Sequence, residues 1–167
     1  ELYRNDVAKF ARGYEFKVVS VLDGIPGQLS KHEKKFTLSS LGKTARMRSY
    51  EEAFFWLADA RIANICYAST DPSLGLGLSM EQSSLKCYMA DTGLLVTLAL
   101  SMGAVEEESI YRSVLRGEIG LNEGMLTENA VAQALWANGH QLFFYSQSGK
   151  KSGEERMEID FLVVRPF

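Results

Sequence analysis

The feature that most constrains the fold is a C-terminal apolar segment interrupted by two carboxylates. The segment, residues 157–164 (MEIDFLVV), has the composition of a strand that is covered on both faces. Because successive side chains of a strand alternate between faces, Glu158 and Asp160 should share one side and Phe161 the other. A carboxylate that faces the interior costs several kcal/mol unless it is paired, protonated or bound to a metal. Both acids therefore need a partner.

A third acid, Glu128, lies upstream in a segment with helical periodicity. It precedes Val131 and Leu135 at the spacing that places all three on one apolar stripe. Three acids in positions where acids are costly predict a divalent-metal site or the remains of one.

A purely structural interpretation fits the same residues. Glu128 is then an acid in the first turn of a helix capped by Thr127, which the helix dipole favours. Glu158 and Asp160 would lie at a solvated strand start. Their partners would come from the preceding polar loop, which contains Lys150, Lys151 and Arg156.

Composition limits the class of protein. The chain has 167 residues, of which 46% are hydrophobic and 23% charged, as expected for one globular domain or two small ones. Its longest weakly polar run, residues 92–105, is too short to cross a bilayer, so no membrane partner is expected. Cys66 and Cys87 lack metal-ligand spacing and indicate buried thiols in a reducing cytoplasm.

Charge is distributed unevenly along the chain. Residues 1–61 contain 11 basic and 8 acidic residues, whereas residues 62–167 contain 7 basic and 13 acidic ones. Such a basic excess can bind phosphates, although a solvated loop explains it equally. The candidate nucleic-acid-binding residues are Lys34, Lys35, Lys43, Arg46 and Arg48.

The first half of the chain has the element order of a winged helix-turn-helix. A helical pattern over residues 15–22 should stop at residues 23–27 (DGIPG), and a short element follows near residues 38–43. Ser49 and Glu52 predict a capping box for a third helix. Strands are expected at residues 62–68 and 85–90. A generic helical domain with a hairpin is the alternative.

The second half predicts a small α/β unit. Asp91 is a suitable N-cap for a helix over residues 92–102, and Gly139 should end a helix over residues 126–138. Strands are expected at residues 141–146 and 157–164. Because the sequence begins without Met and stops directly after a core-like strand, we expect it to be a piece of a longer protein.

Five segments in this order carry a resemblance to a known family. They are VLDGIPGQLS, RSYEEAFFWLADARIANICYAS, LKCYMADTGLLVTL, NEGMLTENAVAQAL and MEIDFLVV. Together they resemble the C-terminal half of a group of prokaryotic AAA-superfamily ATPases, over about residues 16–164. In that group a P-loop ATPase domain is followed by a winged helix and a nuclease-like domain of the PD-(D/E)XK type.

The resemblance implies an α+β chain with two domains. Residues 1–90 would form the winged helix, with residues 1–14 as the tail of a preceding linker or helix, and residues 91–167 a truncated restriction-endonuclease-like α/β domain. Glu128 matches the helix carboxylate and Asp160 the strand carboxylate of a Mg²⁺ site, while Glu158 is a neighbour without an assigned role. That site would be completed only by a Glu-x-Lys strand beyond Phe167.

These observations favour a non-catalytic C-terminal fragment of an AAA-type ATPase that engages DNA non-specifically or binds a protein partner. The sequence contains no P-loop, so ATP and Mg²⁺ are expected only in the full-length parent, with its N-terminal ATPase domain, and no cofactor in this fragment. One alternative is a Mg²⁺-dependent nuclease module that is inactive without the missing strand. The other is a protein-interaction adaptor.

Overall fold

A computed structural model describes residues 2–42, 45–101, 122–147 and 157–164 of the chain. Within these ranges it contains five α-helices, four strands and two short 3-10 helices, Leu38–Ser40 and Pro72–Leu74. The predicted α+β class is confirmed. The helices are α1 (Leu2–Phe10), α2 (Glu15–Leu29), α3 (Met47–Asp59), α4 (Thr92–Ser101) and α5 (Glu123–Ala137). The strands are β1 (Ala63–Ser69), β2 (Met80–Met89), β3 (Leu142–Gln147) and β4 (Met157–Leu162).

The four strands form one mixed sheet in the order β2-β1-β3-β4. The β1–β2 and β3–β4 pairs are antiparallel, whereas β1 and β3 run parallel. A parallel pair needs a long crossover connection. Here the chain between β1 and β3 includes β2, α4 and α5.

The sheet runs across the predicted domain boundary between residues 90 and 91. β1 and β2 come from the first predicted domain and β3 and β4 from the second, yet β1 pairs with both β2 and β3. Six of the seven residues of β1 are buried, and a strand buried on both faces needs neighbours on both sides. One hydrophobic core extends from Val7 to Phe144.

α2 is longer than the sequence pattern predicts. The expected stop at residues 23–27 is wrong, because the helix continues through Pro26 to Leu29. Pro26 removes one backbone donor, but the turn that contains it buries Ile25 and Leu29 against the core. Gly24 serves close packing: a Cβ atom there would lie 3.1 Å from the Phe36 ring.

The ends of the other helices follow side-chain hydrogen bonds. α3 begins at Met47, so the predicted start at Ser49 is late. The Ser49 hydroxyl instead donates to the Arg46 carbonyl at 2.8 Å, one turn back. The Asp91 cap is confirmed, since its carboxylate accepts a bond from the Leu94 amide at 2.7 Å. Gly139 follows α5 with φ +80, the conformation that favours glycine at a helix end.

α2, α3 and β1 share one core, as the apolar spacing of these segments predicts. The six residues expected to meet are all buried in the same cluster. They are Val18, Leu22, Tyr50, Phe54, Leu57 and Ile65.

No helix in the described ranges combines the length and the apolar character that crossing a membrane requires.

Replacing Leu57 with Ala tests this core. Leu57 is fully buried, so the cavity left behind should lower the free energy of unfolding by about 2–5 kcal/mol. Phe55→Ala is the matched control, because Phe55 lies on the same helix with 72% of its surface exposed and should change stability by about 0.5 kcal/mol or less. Urea unfolding measures both. A loss below about 0.5 kcal/mol for Leu57→Ala would mean that α3 packs through another face.

Candidate functional site

The strand register places charged residues from both edge strands on one face of the sheet. Cys66 on β1 pairs with Lys86 on β2 and with Leu142 on β3. Ser146, four residues after Leu142 on β3, pairs with Glu158 on β4. Paired residues project to the same face, and so do residues two or four apart on one strand. Lys86 and Glu158 therefore share a face.

This face is concave. β2 and β4 are separated by β1 and β3, yet the Lys86 ammonium lies 2.7 Å from an Asp160 carboxylate oxygen. The rings of Tyr88 on β2 and Phe161 on β4 also meet, with centroids 5.4 Å apart. The sheet therefore curls until side chains of its two edge strands touch.

An extra residue in β4 changes which of its side chains reach this face. Phe143 of β3 pairs with Leu162, but Tyr145, two residues on, pairs with Ile159, three residues back. Such a bulge interrupts strict alternation. Asp160 and the adjacent Phe161 both contact β2. The expectation that these two side chains lie on opposite faces is wrong for this reason.

Lys86 is the centre of the site. Its side chain is fully buried, and its ammonium lies 2.7 Å from Asp160, 3.3 Å from Glu158 and 3.5 Å from Glu128. The Phe144 ring covers it, with the centroid 5.2 Å away. Burial alone would lower the pKa of Lys86, but the hydrogen bond to Asp160 and the three negative charges outweigh burial and raise that pKa above its ordinary value. Lys86 is therefore a buried cation held by carboxylates.

Glu128 connects α5 to this cation from the other side. It is 8% exposed, so its predicted inward direction is confirmed. The predicted stripe is wrong in part, because Val131 is 42% exposed and the buried face of α5 consists of Met125, Glu128, Asn129 and Ala132. One of its carboxylate oxygens accepts a hydrogen bond from the Tyr88 hydroxyl and faces Lys86, while the other pairs with Lys34. Burial raises the pKa of Tyr88 far above its ordinary value, and the bond to Glu128 raises it further. The phenol therefore stays protonated as a hydrogen-bond donor.

Two further side chains of α5 bind the backbone at the end of β2. Asn129 accepts a hydrogen bond from the Met89 amide at 2.8 Å and donates to the Met89 carbonyl at 3.1 Å. Gln133 accepts from both the amide and the hydroxyl of Thr92, at 3.0 and 2.8 Å. The run ENAVAQ thus fixes α5 against the run KCYMADT. All buried side-chain nitrogen and oxygen atoms of the described residues have partners.

The structure brings together the acids that the sequence singled out. Glu128 and Asp160 contact the same Lys86 ammonium, so their carboxylates are separated by no more than the sum of 3.5 and 2.7 Å, well under about 10 Å. Glu158 joins them at the same ammonium. The expectation that this strand is covered on both faces is wrong, because β4 is an edge strand whose residues 157–160 are exposed. Lys150, Lys151 and Arg156, the alternative partners of Glu158 and Asp160, lie outside the described residues.

The candidate nucleic-acid-binding residues are divided between two places. Lys34 pairs with Glu128, and Lys35 donates to the Ser146 hydroxyl at 3.1 Å, so both lie at the concave face. Arg46 and Arg48 are exposed at the start of α3. Lys43 lies outside the described residues.

Two residues of the site, Lys86 and Tyr88, were not anticipated from the sequence. A signal was present, because Lys86 interrupts the otherwise apolar run LKCYMA just as the acids interrupt MEIDFLVV. A lysine inside a buried strand needs a negative partner. The two interrupted strands together indicate an ion pair between Lys86 and an acid of the segment MEIDFLVV.

The donor set suits a divalent cation by chemistry but not by arrangement. Carboxylate oxygens are ligands that Mg²⁺ prefers, at about 2.1 Å. An ion bound to both Glu128 and Asp160 would lie against the Lys86 ammonium, which already occupies the space between them. Within the described ranges, no group of three or more acidic, histidine or cysteine side chains is arranged to hold a metal. With the Lys86 ammonium between the two acids, the described residues do not fit Mg²⁺.

Replacing Tyr88 with Phe tests the buried phenol. Between about pH 10 and 12 the unfolded chain loses the Tyr88 proton while the folded chain, with its raised pKa, keeps it. Stability should therefore fall with rising pH by about 1.4 kcal/mol per pH unit for this proton. Tyr88→Phe should reduce the slope by that amount in urea unfolding measured across the window. An unchanged slope would mean that Tyr88 ionises in the folded protein.

Comparison with known proteins gives one family. Residues 1–105 match the model of a domain of unknown function, DUF8612. The match includes Lys34, Lys86 and Tyr88 but ends before Glu128 and Asp160. No curated protein and no solved structure gives a significant match. Because the match covers more than half of the chain, the protein belongs to the DUF8612 family.

Proposed function

We propose that this chain is a non-catalytic module of an AAA-type ATPase whose work is to bind a protein partner. The observation that carries the proposal is the position of Lys86. Its buried ammonium lies within 3.5 Å of three carboxylates, so the acids that could form a metal site are already paired with a cation of the chain itself. Such a cluster holds α5, β2 and β4 together.

A nuclease-like ancestry is part of this proposal. A helix carboxylate, a strand carboxylate and a lysine converge on one face of a mixed sheet, which is the set of residues that the resemblance to AAA-associated nuclease-like domains implies. The lysine comes from β2 rather than from a Glu-x-Lys strand. The expected winged helix has less support, because β1, half of its wing, is hydrogen-bonded between β2 and β3.

The charges favour a protein partner over DNA. Of the five basic candidates, Lys34 is engaged by Glu128 and Lys35 by Ser146. α3, the helix that would enter a groove, exposes Glu51, Glu52 and Asp59, which phosphates repel. Arg46 and Arg48 remain exposed beside these acids, so DNA binding stays a secondary expectation.

The remaining expectations concern the whole protein. ATP and Mg²⁺ would be bound by the ATPase domain of the parent, and the module would transmit nucleotide state to its partner. We also propose a cytoplasmic location. The two buried cysteines are free thiols, as expected in a reducing compartment.

A Mg²⁺-dependent nuclease is the second candidate, favoured only by the convergence of Glu128, Asp160 and Lys86. It would require Lys86 to leave the acids so that they could bind an ion. A buried ammonium that loses three carboxylates becomes an uncompensated charge, which costs several kcal/mol. The paired arrangement is therefore the more stable one.

Metal binding and cleavage separate these two candidates. With millimolar Mg²⁺ or Mn²⁺ we expect no cleavage of single-stranded or double-stranded DNA. We also expect no rise in the unfolding midpoint, since a ligand of the folded state would raise it. Asp160→Ala, which lacks one of the candidate metal ligands, is compared with the unaltered chain in both measurements. Metal-dependent cleavage that disappears in Asp160→Ala would overturn the non-catalytic proposal.

DNA binding should be weak, salt-sensitive and indifferent to sequence. The first variant replaces Lys35, Arg46 and Arg48 with Glu. The second also replaces Lys34 and Lys43 with Glu; it comes afterwards because loss of the Lys34 charge breaks the pair with Glu128. Each set should abolish or further weaken a gel shift at low salt. Arg12→Glu, at an exposed position between α1 and α2, is the control and should leave it unchanged. A shift that survives reversal of all five residues contradicts the assignment.

A further inference from the structure

An aromatic groove opens between α3, β1 and the end of α5. Its volume is about 410 Å³, within the range of sites that bind small molecules or single anchor side chains. We call it the aromatic groove and define it by Phe55, Ile65, Tyr67, Trp136, His140 and Gln141.

The groove lies on the sheet face opposite the buried lysine. Ile65 and Tyr67 flank Cys66 on β1, and Cys66 pairs with Lys86. Because side chains alternate along a strand, Ile65 and Tyr67 project away from the face that carries Lys86. A molecule bound in the groove would therefore leave the ion pairs of Lys86 intact.

Two large aromatic side chains of the groove remain accessible to solvent. Phe55 is 72% and Trp136 39% exposed, although both belong to helices with buried faces. Exposed aromatic residues beside a cavity are typical of protein–protein contact sites, where Trp and Tyr commonly supply most of the binding energy. The backbone around Trp136 is fixed, since the amides of Gly139 and His140 donate to the Trp136 and Leu135 carbonyls.

Polar groups with hydrogen-bonding capacity border these aromatic surfaces. Tyr67, Trp136, His140 and Gln141 each carry a polar side-chain atom. Within the part of the chain that the structure describes, none of these four side chains makes a hydrogen bond. A ligand that brought backbone amides or carbonyls could use them.

A carboxylate lies on the helix that forms one side of the groove: Glu51 is exposed one turn before Phe55 on α3. α3 carries one arginine, Arg48, against Glu51, Glu52 and Asp59, all of them exposed. Burial raises the pKa of Tyr67, and the negative charge of Glu51 raises it further. Charge complementarity therefore selects a partner with positive charge next to its apolar contact.

We propose that the aromatic groove binds a short segment of a partner protein in which a bulky apolar side chain is followed or preceded by lysine or arginine. The apolar side chain would fill the cavity between Phe55 and Trp136, and the cation would lie beside Glu51. This proposal rests on the proposed function as a partner-binding module and names the class of partner.

Selection from a displayed library of random dodecapeptides tests the proposal with the whole chain as bait. We expect enriched peptides to combine an aromatic or large aliphatic residue with an adjacent lysine or arginine. Fluorescence anisotropy then measures the affinity of one enriched synthetic peptide for each variant. Phe55→Asp and Trp136→Ala should weaken it about tenfold or more, and Glu51→Lys should do the same. Phe16→Asp is the matched control, because Phe16 is 78% exposed on α2 and lies outside the groove.

Three results would overturn the proposal. They are no enrichment, enrichment of acidic or purely apolar peptides, and an enriched peptide that binds Phe55→Asp as tightly as the unaltered chain. Light scattering adds a fourth: a dimer that Phe55→Asp dissociates would identify a second copy of the chain as the occupant. The two proposals fail in different measurements. Peptide binding tests the aromatic groove, whereas metal-dependent DNA cleavage tests the non-catalytic function and involves no peptide.

Discussion

The ammonium of Lys86 has to be neutralised inside the protein, and the arrangement of three elements follows from that requirement. Removing an ammonium from water costs several kcal/mol, which is recovered only when carboxylates and hydrogen bonds surround it closely. Asp160 and Glu158 come from β4, and Glu128 comes from α5. The sheet must therefore curl so that β4 approaches β2, and α5 must lie over the concave face. Loss of Lys86 itself would leave three carboxylates close together with less compensating charge.

α5 is held in place by hydrogen bonds as well as by charge, because three of its polar side chains contact consecutive parts of one chain segment. Glu128 engages Tyr88 and Lys86, Asn129 satisfies the Met89 backbone, and Gln133 caps the start of α4. The first residues lie on β2 and the last on α4, so α5 fixes the angle between that strand and that helix. The runs KCYMADT and ENAVAQ therefore meet in the folded chain. They form one contact surface although about 40 residues separate them.

Local chemistry could be predicted from the sequence more readily than long-range pairing. The Asp91 cap, the glycine after α5 and the inward direction of Glu128 each depend on neighbours within one or two helical turns. The parallel pairing of β1 with β3 depends on a crossover of more than 70 residues and carries no local signal, so a boundary between residues 90 and 91 looked plausible. Pro26 inside α2 shows the same limit, since core contacts of Ile25 and Leu29 outweigh one lost hydrogen bond. The bulge in β4 likewise reflects contacts with β2 that only the folded sheet supplies.

The two faces of the sheet differ in how completely their polar groups are used, and this difference bears on function. On the concave face Lys34, Lys86 and Tyr88 are paired with the acids, so a ligand that displaced them would have to replace strong contacts, although Asp160 keeps 54% of its side chain exposed. On the opposite face Phe55 and Trp136 are exposed, and the polar side chains beside them make no hydrogen bonds among the described residues. Binding there would add contacts with the exposed aromatic rings and leave the ion pairs of the other face in place. A rigid sheet closed by ion pairs on one face is therefore well suited to present a preformed groove on the other.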